Sequence, residues 1–184
     1  MACHWRNIRH HLLDQFGRYV GLASPCGAEI ERLAHISSKN YVVLPYSIKG
    51  NDVTFSGILS AAKRLISTSK FTVEDICYSI QETAFAMITE AVERALSATE
   101  KKELLLVGGV SANKQLSHML NLACQRHKVK FNSCPVSFAG DNGAQIAWTG
   151  ILSYLKSKNS INISDSFINQ SWRVDSVDVT WRRN

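Results

Sequence analysis

The chain has no apolar run that approaches the ~20 residues of a membrane-spanning helix. Its longest, such as "LLLV" at 104 to 107, stop far short, and no apolar signal segment follows Met1. These absences set the expectation of a cytosolic or nuclear protein with no membrane partner. The five cysteines, Cys3, Cys26, Cys77, Cys124 and Cys134, are odd in number and include no C-x-x-C pair. That argues against a disulfide framework and a zinc knuckle, and for reduced, buried thiols. There is no internal repeat and no long low-complexity tract. A phosphate-binding G-x-x-x-x-G-K-[ST] loop and a G-x-G-x-x-G fingerprint are both missing. No Ser-His-Asp or Cys-His set for nucleophilic catalysis is discernible. His4, His10 and His11 are not one helical turn apart, so they read as solvated residues and not as metal ligands.

What is present is the composition of a globular protein: 45% apolar and 20% charged residues over 184 positions, enough for one ordinary domain. Twenty-one Lys and Arg against fifteen Asp and Glu give a formal charge of +6, spread over "RHKVK", "KSK" and "RR". Such a balance favours a polyanionic partner only weakly, since each cluster also reads as solvated surface.

Apolar residues recur at helical spacing from Thr72 to about Ala98, through Ile76, Ile80, Ala84, Phe85, Ile88, Ala91, Val92 and Ala95. Thr72 followed by Asp75 resembles a capping box. The run Leu104 to Val107 reads as a strand buried on both faces. It is followed by a Gly108-Gly109 turn, by Ser111 as N-cap, and by a helix with Leu116, Met119, Leu120 and Ala123 on one side. A second strand is expected near Val129 to Phe131, then a helix running to about Lys156 with Ala147, Ile151 and Leu155 on one face. Upstream, "YVVLPYS" reads as a strand and "DVTFSGIL" as a strand-to-helix junction, with "SKNSINISDS" a loop. Two successive strand-loop-helix units argue for an α/β sheet with ligand loops at the strand ends.

Two places hold chemistry that the residues alone leave open. Gly108 and Gly109 permit positive φ and close backbone approach ahead of a helix N-terminus, which suits a phosphate or nucleotide as well as a tight structural turn. In "VSFAGDNGAQIAWTG", Asp141 either caps the next helix or, with Asn142 as cap, turns its carboxylate outward to a ligand.

Taken in order, "LDQFGRYVGLASPCGAEIERLA", "LPYSIKGNDVTFSGIL", "QETAFAMI", "LLLVGGVSANKQL", "AGDNGAQIAWTG" and "WRVDSVDVTW" resemble one family, the tRNA N6-adenosine threonylcarbamoyltransferases. These are the catalytic subunits of the KEOPS complex, of archaeal or eukaryotic type, and the resemblance runs from about Leu13 to Arg183. It implies the actin-like, sugar-kinase and chaperone-ATPase fold with ribonuclease-H-like sheets. Residues 13–184 would be mainly its second domain, including the 159–184 tail, after a divergent segment 1–12. The implied reaction transfers the threonylcarbamoyl group from threonylcarbamoyl-AMP to N6 of the adenosine beside the tRNA anticodon.

Carried over by position, Asp14 resembles the contact to the nucleotide sugar, and Gly27 and Glu31 match the next two nucleotide contacts. Asn113 resembles the nucleotide-contacting asparagine, with Gly108 and Gly109 lining the same loop. Asp141, 28 residues beyond Asn113, resembles a ligand of one divalent metal ion, iron or zinc. No residue is assigned a catalytic role. The family's His-x-x-x-His metal pair and Ser-Gly-Gly phosphate loop have no match here, and "RNIRHH" replaces the family's usual helix start. The resemblance is therefore that of a C-terminal half whose metal is incompletely liganded. Two expectations follow: part of an enzyme that acts on tRNA with the KEOPS subunits, including the small kinase, or a binding module of such a complex that does no chemistry.

Overall fold

The computed structural model describes residues 12–140 and 143–171, with Val179 and Trp181. The chain divides into two compact units, Met1–Gly140 and Asp141–Asn184.

The first unit is built on one helix. Helices α1 (Asp14–Tyr19) and α2 (Gly27–Ile36) are followed by an antiparallel hairpin, β1 (Ile48–Lys49) with β2 (Asp52–Val53). Gly50 turns this hairpin at φ +62°. Then come α3 (Ser56–Ser67) and the 27-residue α4 (Val73–Thr99). The helical period places Ile76, Ile80, Phe85, Met87 and Ile88 of α4 wholly inside, where α2, α3 and α5 close around them. Each such side chain contributes about 1.5–3 kcal/mol by leaving water. The expected cap is present, since Thr72 Oγ1 accepts the Asp75 N–H at 3.1 Å. Glu100 ends the helix in the left-handed region at φ 51°.

The segment "YVVLPYS" is extended but pairs with no strand among the described residues, which corrects the expectation. Its alternation is real, with Val42 and Leu44 buried and Val43 83% exposed. Its backbone is served by α4 instead: the Val42 N–H donates to Ser79 Oγ at 2.8 Å. Further clips run along the same helix. Ser37 and Ser38 donate to Asp75 at 2.6 and 2.9 Å, Tyr41 bonds Thr83 at 2.9 Å, and Tyr46 donates to Glu90 at 2.6 Å. Arg94 closes the series on the Gly50 carbonyl at 2.9 Å. Residues 37–50 thus form a strap laid lengthwise on α4.

After α4 come β3 (Glu103–Leu106), a 3₁₀ turn (Gly109–Ala112), α5 (Lys114–Arg126), β4 (Lys130–Ser133) and the unanticipated short α6 (Val136–Ala139). Strands β3 and β4 are parallel, with Leu104 opposite Phe131 and Leu106 opposite Ser133. The expectation that β3 is buried on both faces fails. Leu104 and Leu106 turn to the core, while Leu105 and Val107 are 64% and 60% exposed, because this two-stranded sheet has only one face packed on the core. The molecule is mixed α/β, mostly helical, with two small sheets among the described residues.

Cys26, Cys77 and Cys124 are buried free thiols, as expected, whereas Cys134 is only half-buried; Cys3 lies outside the described residues. Burial pushes Cys77 up to about 12, which leaves it unreactive.

The second unit holds α7 (Gly143–Ser157) and a 3₁₀ turn (Ile163–Asp165), and α7 ends one residue beyond the expected Lys156. Among the described residues no helix is long and apolar enough to cross a membrane.

Candidate functional site

The site forms where β3 ends. Gly108 adopts φ +90° and ψ 169°, a conformation that side-chain-bearing residues rarely take, and sends the chain into the 3₁₀ turn. That turn delays α5, so the cap is Asn113 and not Ser111. Asn113 Oδ1 accepts the Leu116 N–H at 3.0 Å. Ser111 instead sits inside the 3₁₀ turn, and its buried hydroxyl has no hydrogen-bond partner among the described residues.

Two carboxylates meet two helix starts. Glu31 Oε1 on α2 accepts the N–H of Lys114, the first residue of α5, at 3.0 Å across 83 residues of sequence. Asp14 Oδ1 accepts the N–H of Cys26, the N-cap of α2, at 2.8 Å, and Asp14 is itself buried. Each helix dipole is therefore partly neutralised by the protein's own negative charge. One amide at each of these helix starts is thus taken by a carboxylate of the protein itself.

The cleft between α2 and the turn has a volume of about 190 Å³, and Gly27, Glu31, Gly109 and Asn113 line it, together with Leu13, Pro25, Ala28, Val110 and Ala112. Four of the residues singled out in the sequence are thus brought to one cavity. Asp14 and Gly108 stand behind the lining, one holding the start of α2 and the other setting the turn. A Cβ built on Gly27 would meet nothing within 4 Å, so packing does not demand this glycine. Asp141 and Asn142 lie outside the described residues, as do His4, His10 and His11. Among the described residues no three His, Cys, Asp or Glu side chains gather to hold an ion.

A larger cavity of about 670 Å³ shares Ala28, Glu31 and Ala112 with the first and reaches to Tyr78, Gln81, Glu82 and Gln115. The sequence assigned these α4 and α5 groups no role; the signals were polar Gln81 and Glu82 interrupting an apolar helix and opening the motif "QETAFAMI". Gln81 is buried, and its Oε1 accepts from Asn113 Nδ2 at 3.1 Å. Beside it Gln115 Nε2 donates to Glu82 Oε1 at 2.9 Å. Burial, then the Glu82 carboxylate, raises the Tyr78 phenol, which faces the cavity as a neutral hydroxyl.

The fold and the paired cavities define an α/β protein with a ligand-sized cleft at the carboxyl end of a parallel strand. Residues 5–148 match the family described as TsaD: tRNA N6-adenosine threonylcarbamoyltransferase, and the chain belongs to that family. It is 47% identical over 92% of its length to the tRNA N6-adenosine threonylcarbamoyltransferase of Methanocella arvoryzae. It is 46% identical over 93% of its length to the protein of the same name from Methanothrix thermoacetophila. A probable bifunctional tRNA threonylcarbamoyladenosine biosynthesis protein of Methanothermobacter thermautotrophicus is 48% identical over 94% of the chain. The chain spans 51% and 52% of the first two relatives and 32% of the third.

Proposed function

We propose that the chain is the C-terminal part of an enzyme that moves the threonylcarbamoyl group from threonylcarbamoyl-AMP to N6 of the adenosine beside the tRNA anticodon. Its residues hold the nucleoside portion of the adenylate in the smaller cavity and the adjoining groove. The observation that carries this reading is the convergence of Gly27, Glu31, Gly109 and Asn113, from two distant stretches of sequence, on one lining. Glu31 offers the acceptor that ribose hydroxyls require. Asp14 holds the start of α2 against it, and the absent side chain at Gly27 leaves room for the sugar. The same carboxylates keep the adenylate phosphate out of the cavity, so the carbamoyl group and the phosphate lie outside it.

In the transfer, the adenosine N6 forms a bond to the carbamoyl carbon. The bond from that carbon to the phosphate oxygen breaks, AMP leaves with the electron pair, and the N6 proton is lost. None of the described residues is assigned to move that proton; their part is binding and orientation. The metal implied by the resemblance, iron or zinc on Asp141, finds no ligand set among the described residues, and no step is assigned to it. The reading includes the actin-like fold for this domain, a nucleotide contact through the Gly108-Gly109 loop, and assembly with tRNA and KEOPS-type subunits, including the small kinase.

The test is reconstitution: this chain combined with the N-terminal remainder of the Methanocella arvoryzae relative, tRNA and a source of threonylcarbamoyl-AMP. Modified adenosine is expected with both pieces and not with Gly27→Val, which adds a branched side chain to the lining. No product from the combined pieces, or full product from Gly27→Val, overturns the reading.

A further inference from the structure

Gln81 joins the two cavities through a chain of hydrogen bonds whose polarity is fixed at one end by the backbone. The Leu116 N–H only donates, so the atom of Asn113 that faces it at 3.0 Å is the oxygen. Asn113 then presents its Nδ2 donors on the other side, and the Gln81 atom that meets them at 3.1 Å is the acceptor Oε1. Neither amide can turn over without setting donor against donor inside the protein, where both residues are buried at 7% and 8% exposure. Gln81 Nε2 is therefore the end left over, and it has no hydrogen-bond partner among the described residues. Gln81 lines the larger cavity. The neighbouring amide is set the opposite way: Gln115 gives its Nε2 to the Glu82 carboxylate at 2.9 Å and keeps Oε1 as an acceptor. The larger cavity thus carries a donor on α4 and an acceptor on α5.

We propose that Gln81 is a specificity-determining residue, held in one amide orientation by the Leu116–Asn113 relay, whose Nε2 donates to a hydrogen-bond acceptor on the base of the bound nucleotide. This rests on the reading that the site takes an adenosine nucleotide. The donor on Gln81 and the acceptor on Gln115 match a purine edge on which a ring nitrogen accepts and an exocyclic amine donates. A group with an amine or N–H where the acceptor should be meets donor against donor and is rejected.

The experiment titrates AMP, and AMP analogues in which one ring nitrogen is replaced by CH, into the full chain and two variants. For the wild type, one analogue is expected to bind about tenfold more weakly than AMP, the size of one lost hydrogen bond. In Gln81→Met, AMP weakens by about the same factor and the discrimination against that analogue disappears. Gln81→Glu keeps an acceptor for Asn113, so its thermal midpoint stays near that of the wild type. It replaces the donor with an acceptor, so AMP affinity falls at least as far as in Gln81→Met. Discrimination that survives in Gln81→Met, wild-type affinity in Gln81→Glu, or no analogue weaker than AMP for the wild type overturns this proposal and leaves the nucleotide site standing. A wild-type chain that binds no AMP overturns both. Should Gln81→Met fail to fold, the isosteric Gln81→Glu decides the matter alone.

Discussion

Glu31 Oε1 and the Lys114 N–H lie 3.0 Å apart, so a carboxylate of α2 occupies the first free amide of α5 and ties two segments 83 residues apart. Glu31 also lines both cavities, and its structural and binding roles separate under substitution. Glu31→Gln retains an acceptor for Lys114 and is expected to change stability by less than about 1 kcal/mol in urea unfolding. The same change removes the charged acceptor for ribose hydroxyls and should weaken AMP about tenfold or more by calorimetric titration. Equal losses in both measurements would make Glu31 a tie between helices and nothing else.

Two glycines predict opposite outcomes. A Cβ on Gly17 would collide with Cβ and Sγ of Cys26, so Gly17→Ala is expected to cost about 1–3 kcal/mol by overpacking. At Gly27 the new methyl meets nothing, and alanine at a helix start is neutral or stabilising by up to about 1 kcal/mol. Gly27→Ala should therefore fold as well as the wild type while its methyl protrudes into the cavity and reduces AMP affinity. Chemical unfolding of both variants with AMP titration of the second checks the contrast.

How much of this was legible in the sequence depends on what each pattern reports. The helical period from Ile76 to Val92 reports burial on a helix, and α4 follows it closely. The alternation at Val42, Val43 and Leu44 reports burial too, but carries no information about which groups take the backbone hydrogen bonds. Here Ser79 takes one, and among the described residues no strand pairs with this segment. The apolar run at β3 predicts two covered faces, and Leu105 shows one uncovered. Resemblance supplied Gly27, Glu31 and Asn113 as one site, which spacing alone leaves open. Gln81 opens the motif "QETAFAMI" but carried no assigned role, because a polar residue in an apolar helix acquires meaning only once Asn113 stands 3.1 Å away.

Asn113 carries two hydrogen bonds that different substitutions divide. Asn113→Asp keeps the oxygen that caps Leu116 and loses the donor to Gln81, whereas Asn113→Ala loses both. The aspartate is expected to stay within about 1 kcal/mol of the wild type on the helix side, with the alanine about 1–2 kcal/mol lower for the missing cap. Both variants free Gln81 to turn over, so both should lose the discrimination between AMP and its ring-nitrogen analogues. Thermal unfolding with parallel titrations separates the cap from the relay.

The strap along α4 gives a pH dependence whose sign follows from Asp75. The hydroxyl of Ser37 chiefly, with Ser38, Thr72 and the Asn40 N–H, holds the buried Asp75 carboxyl below its ordinary value of 3.8, against the opposing effect of burial. A carboxyl depressed in the folded state binds fewer protons there than in the unfolded chain. Its stabilising contribution is fully present above the unfolded value near 3.8 and is lost as pH falls from there through the lower folded value. Protonation removes the charge on which Ser37 and Ser38 close, so residues 37–40 should loosen first. Ser37 and Ser38 both donate to Asp75 Oδ1, so Asp75→Asn keeps that oxygen but removes its charge, which lowers stability at neutral pH and flattens the decline of the unfolding midpoint below pH about 4. Hydrogen exchange at residues 37–42, compared between wild type and Asp75→Asn across this range, should show the wild type converging on the variant as acid is added. Acid sensitivity of equal slope in both proteins would assign the decline to other carboxylates and remove Asp75 from the clip.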